Sequence, residues 1–66
     1  MLNSAKLEAI VMEEIENEGT DAGNGVCVEC GFVQGGCEPD AERYECEECG
    51  KRAVYGMEQA LLCFLG

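Results

Sequence analysis

The chain has 66 residues, enough for one small domain but too few for an apolar core that holds a fold unaided, so a cross-link is expected. Its net charge of −10, from 14 acidic and 4 basic residues, works against nucleic-acid phosphates and favours basic or neutral protein partners. It has no histidine, which excludes His-based catalysis and any Cys2His2 site, and its six cysteines supply the cross-link as disulfides or as metal ligands.

Residues 1–19 read as an acidic N-terminal helix. Asn3 or Ser4 can cap its start, and the helix runs to about Glu18, where Gly19 suits the C-cap. Leu7, Ile10, Val11 and Ile15 recur at i, i+3, i+4 and i+8 as one apolar stripe, with Glu8, Glu13 and Glu16 away from it. Glu13, Glu14, Glu16 and Glu18 crowd the negative end of the helix dipole, and Glu14 and Glu18 are like charges four apart. The helix is therefore expected to depend on tertiary packing, a basic neighbour or a partner. Leu2 and Met12 lie off the stripe and leave room for a weak dimer patch, so the chain reads as a monomer or weak dimer. Residues 20–25, TDAGNG, read as a polar, glycine-rich linker.

Two short motifs of the form x-C-x-E-C-G follow, at residues 26–31 and 45–50. The fifteen residues between Cys30 and Cys46 leave room for two strands and a turn. Phe32 to Gln34 and Glu42 to Glu45 are the strand candidates, with turn chemistry at Gly35-Gly36 and Glu38-Pro39-Asp40. Lys51 to Tyr55 is a third strand, broken by Gly56. Met57, Ala60, Leu61, Phe64 and Leu65 then fall at helical spacing, which predicts a short apolar C-terminal helix. A strand through Leu61 to Phe64 is the competing reading, because so short a run gives little periodicity.

Cys27, Cys30, Cys46 and Cys49 are the candidate metal ligands. Zinc accepts four thiolates tetrahedrally, and two cysteines separated by two residues reach one ion from a tight turn. Gly31 and Gly50 follow the second cysteine of each pair, where a positive φ turns backbone N–H groups toward sulfur. Four protein thiolates leave no open coordination position, which marks a structural site; no nucleophile or phosphate-loop signature accompanies it, and no enzyme is read. Disulfide pairing and a tetrathiolate iron carrier are the alternatives. Disulfides are disfavoured because no secretory signal is visible near Met1, and iron because the aromatic complement is thin. Cys37 is expected exposed in the inter-strand turn, and Cys63 packed as a small hydrophobe. Glu29, Glu47 and Glu48 are expected to face water. No apolar run is long enough to span a bilayer, and the chain reads as cytoplasmic.

The paired CxxCG knuckles with short strands between them resemble a zinc ribbon over residues 26–55. The run Tyr44 to Glu58 resembles, more narrowly, small phage- and prophage-encoded zinc-ribbon proteins of unassigned function, in which a YxCxxCGxxxVYG-like stretch precedes an apolar tail. The resemblance implies an α+β fold with three short antiparallel strands, ligands at Cys27, Cys30, Cys46 and Cys49, one Zn2+ and, if phage-encoded, a host cytoplasm. Residues 26–66 then form the ribbon domain with its C-terminal apolar segment. The expected function is a small accessory protein acting on a protein partner. The alternative is a nucleic-acid-binding ribbon using Arg43, Lys51 and Arg52, which cluster near the second knuckle.

Overall fold

The computed structural model describes residues 2–19 and 23–65. Helix α1 (Ser4–Glu18) starts where the Asn3 side chain accepts the Lys6 N–H at 2.8 Å, and stops where Gly19 takes a φ of 86° and donates to the Ile15 carbonyl. Leu7 and Val11 are fully buried, with Ile10 and Ile15 packed beside them. No basic residue stands in its last turn to offset the acids there. Its support is apolar packing against α2 (Met57–Ala60) and the π-helical segment Leu61–Leu65 that continues α2. Leu2 donates its N–H to the Val28 carbonyl, fastening the N-terminus to the first knuckle.

Four strands, β1 (Asn24–Cys27), β2 (Val33–Gly35), β3 (Tyr44–Glu45) and β4 (Arg52–Gly56), form one antiparallel sheet in the order β2-β1-β4-β3. This is a small α+β fold with one strand more than the three expected. The additional strand is β1, which begins at Asn24 inside the stretch read as linker; residues 20–22 of that stretch lie outside the described residues. Its sequence, Asn-Gly-Val-Cys, carries little β propensity, and its place comes from pairing with β2 on one side and β4 on the other. Gly25 is required there: a Cβ would stand 2.8 Å from Cys37 Sγ and 2.9 Å from Val54 Cγ1.

The other strands are shifted or shorter than read. Phe32, Glu42, Arg43 and Lys51 fall outside them, and Gly56 ends β4 rather than merely following it. The Glu38–Ala41 turn passes directly over Gly56, which donates its N–H to the Ala41 carbonyl at 3.0 Å; a Cβ at Gly56 would overlap the Glu38 and Pro39 carbonyls. Residues 57–65 are helical, which settles the helix-or-strand alternative. Met57 and Ala60 join Val26 and Val54 in the core, and Phe64 meets Tyr55 edge-to-face at 4.9 Å.

Two cysteines depart from expectation. Cys37 is buried, not exposed, because the turn folds it against Gly25, and its N–H donates to the Gly23 carbonyl. Cys63 is exposed rather than packed, since it projects from the outer side of the π-helical segment beside exposed Leu62. Among the described residues no helix is long and apolar enough to cross a membrane.

Candidate metal centre

Topology brings the two motifs together. Strands β1 and β3 both run antiparallel to β4, which lies between them, so they run parallel to one another. Cys27 ends β1 and Cys46 directly follows β3, placing both knuckles at the same end of the sheet.

The knuckles repeat one hydrogen-bond scheme. Cys27 N–H donates to the Phe32 carbonyl and Gly31 N–H to the Cys27 carbonyl, each at 2.8 Å. Cys46 N–H donates to the Lys51 carbonyl at 2.8 Å, and Gly50 N–H to the Cys46 carbonyl at 2.9 Å. Closing this turn puts Gly31 at φ 86° and Gly50 at φ 77°, the left-handed region that explains both glycines. The same turn aims N–H groups at sulfur. Cys30 N–H reaches Cys27 Sγ at 3.4 Å, while Glu48 and Cys49 N–H reach Cys46 Sγ at 3.3 and 3.4 Å.

All four Sγ atoms lie within 4.8 Å of one another. The short separations cross between the knuckles: Cys27 to Cys49 is 3.7 Å and Cys30 to Cys46 is 3.6 Å. A tetrahedron with metal–sulfur bonds of ~2.3 Å has an edge of ~3.8 Å. A disulfide would bring two sulfurs to ~2.0 Å, and all six cysteines are free. The donor set therefore fits one tetrahedral thiophilic ion; zinc and iron both satisfy such a set. Cys27 and Cys46 are buried, Cys30 and Cys49 exposed, so the cage sits at the protein surface.

The thiols divide electrostatically. Burial opposes the Cys46 thiolate, but the Cys49 and Glu48 N–H groups and the Cys30 and Cys49 thiols outweigh it and bring its pKa down to about 7. Cys30 goes the other way: the Phe32 N–H favours its thiolate, yet desolvation and the three neighbouring thiols push it up to about 12. Cys49 is also raised, the Lys51 N–H being outweighed by desolvation and by Cys46 and Cys27. Crowded thiols cannot all ionise alone, and a dication that replaces their protons removes the conflict.

Cys37 stands outside this cluster. Burial, followed by the charges of Glu38 and Glu47, pushes its thiol up, which suits a covered, protonated side chain. Around the site Glu47 and Glu48 are exposed, whereas Glu29 is only half-exposed, and Lys51 Nζ approaches Glu29 at 3.9 Å from the second knuckle's flank. So exposed a pair contributes at most about 1 kcal/mol. Arg52 stands in register with Glu45 across the β3–β4 ladder, and exposed Arg43 has a φ of 55°. Acids thus stand beside two of the three cations.

One residue of the site is absent from the sequence reading except as part of a strand. Gln34 on β2 accepts the Glu47 N–H at 2.9 Å and donates to the Glu45 carbonyl at 3.1 Å. A lone glutamine carries no signal of a contact across the sheet. No protein-family model matches the chain, and no curated protein and no solved structure matches it, so fold and site stand on geometry.

Proposed function

We propose that the chain is a zinc-ribbon protein in which Cys27, Cys30, Cys46 and Cys49 hold one structural Zn2+, and that it acts by protein–protein contact. The observation that carries this reading is the four-sulfur cage with cross-knuckle edges of 3.6 and 3.7 Å. Four protein donors complete a tetrahedral shell and leave no position for a reacting water, so the ion's work is structural, in keeping with a role other than an enzyme's. Function then belongs to the surfaces the ion holds in place. Those surfaces belong to a chain of net charge −10, which favours a basic or neutral protein partner in the cytoplasm over a polyphosphate. The run from Tyr44 to Glu58 supports a phage-type accessory protein as its biological setting.

Metal analysis with DNA titration tests the proposal. The expected result is one zinc per chain, a colourless protein, and no micromolar binding to duplex or single-stranded DNA at ~0.15 M salt. A coloured iron–thiolate protein would replace the zinc assignment. Micromolar DNA binding that disappears on charge reversal of Arg43, Lys51 and Arg52 would replace protein contact with nucleic-acid recognition.

A further inference from the structure

We infer that Gln34 is a positioning residue for the metal centre, its side-chain amide fixing the ligand Cys46 and docking the second knuckle onto the β1–β2 pair; the inference rests on the metal reading above. Strands β2 and β3 are the two edges of the sheet, with β1 and β4 between them. A flat sheet would hold such edges about 14 Å apart. Yet the Gln34 amide bonds directly to the backbone on both sides of Cys46, at 3.1 Å to the Glu45 carbonyl and 2.9 Å from the Glu47 N–H. The sheet therefore curls until its edges meet, and this side chain spans the seam.

The geometry of the two bonds is specific. Nε2 donates to the residue before Cys46 and Oε1 accepts from the residue after it, as a peptide unit of a neighbouring strand would. Turning the amide over would set two acceptors and two donors face to face. Across the β1–β2 ladder Gln34 pairs with Gly25, two residues before Cys27. A short, rigid path thus links a ligand of the first knuckle to one of the second. The second knuckle needs it, because β3 is two residues long and its register with β4 shifts between Tyr44 and Glu45. Holding Cys46 in place before metal arrives keeps its Sγ beside that of Cys30.

The test is cobalt(II) titration of the full chain, followed by thiolate–cobalt absorption and zinc competition, with thiol alkylation of the zinc-loaded protein read cysteine by cysteine. Gln34→Met keeps the length and removes both bonds. It is expected to weaken metal binding ~10–100-fold, the range found for groups that orient metal ligands, and to speed alkylation of Cys46 and Cys49 ahead of Cys27 and Cys30. Gln59→Met removes different side-chain bonds, to Glu42 and to Cys63, and is expected to leave metal affinity unchanged. Exposed Cys63 serves as the labelling reference for the wild type and Gln34→Met, in both of which its bond from Gln59 is intact. If the wild type shows no four-thiolate cobalt spectrum, the metal reading falls and this inference with it. If the wild type shows it and Gln34→Met binds within twofold, or all four cysteines become reactive together, the positioning role alone is overturned. Should Gln34→Met not fold even with metal, Gln34→Glu, which keeps an acceptor for the Glu47 N–H, decides by the same readouts.

Discussion

The first and second knuckles share a sequence form and a hydrogen-bond scheme, but their surroundings differ. The first extends from buried β1, its Val28 is buried, and its carbonyl there accepts the Leu2 N–H. A Cβ on Gly31 would meet Leu2 at 3.1 Å and Ile10 at 3.2 Å, so helix α1 and its lead-in cover that turn. The second extends from a two-residue edge strand, its Glu47 to Gly50 are exposed, and a Cβ on Gly50 would meet nothing within 4 Å. The first cysteine of each knuckle, Cys27 or Cys46, is buried in the core, but only the first knuckle's turn is covered by other elements. Beyond Cys46, the second is held by the Gln34 amide and by whatever joins the four sulfurs. Identical local turns thus need not be equally stable, because the turn supplies geometry and its neighbours supply free energy.

The largest effect that sharpens this contrast is metal removal. A structural zinc site carries ~10–16 kcal/mol of apparent binding free energy, more than the ~3–5 kcal/mol a core of this size contributes. Near-ultraviolet circular dichroism is expected to collapse when a strong chelator strips the ion. An unchanged signal after complete removal would mean that the apolar core holds both knuckles alone.

Next comes pH. Cys30 at about 12 and raised Cys49 keep their protons in the metal-free protein, whereas Cys46 at about 7 gives its proton up near neutrality. Binding must expel the retained protons, so affinity strengthens as pH rises and weakens as it falls. Below about pH 7 protonation of Cys46 adds to the competition, and zinc competition assays at pH 6 and 8 are expected to differ by at least tenfold. Equal affinity at the two values would remove proton competition from the account.

The glycine pair gives the smallest and most selective effect. Gly31→Ala and Gly50→Ala each place a side chain in the left-handed region, at a cost of about 1–2 kcal/mol. Gly31→Ala also presses on Leu2 and Ile10, which adds roughly 1 kcal/mol or more of overpacking. Denaturant midpoints of the zinc-loaded variants are expected to fall further for Gly31→Ala. The reverse order would place the supported knuckle on the wrong side.

Local signals in the chain account for much of this. Asn3, the Leu7–Val11 stripe and Gly19 specify α1 by capping and periodicity, both short-range. The CxxCG spacing predicts which four cysteines gather, because a tight turn by itself brings two sulfurs to one point. Strand β1, the burial of Cys37 and the exposure of Cys63 are decided elsewhere. A Gly-rich stretch becomes a strand when two partners pair with it, and a thiol in a turn is covered when that turn folds it against Gly25. Gln34 is the clearest case: its partners lie eleven and thirteen residues away, across a sheet whose curl no local pattern encodes.

Hydrogen exchange of the zinc-loaded protein tests the central asymmetry most directly. The Gly31 and Gly50 amides make equivalent bonds, at 2.8 and 2.9 Å, to the first cysteine of their own knuckle. Any difference in their protection therefore reports what surrounds each turn. The expected result is that Gly50 exchanges at least tenfold faster than Gly31, ~1.4 kcal/mol or more in opening free energy. Equal protection, or a slower Gly50, would contradict a second knuckle held chiefly by its metal and by Gln34.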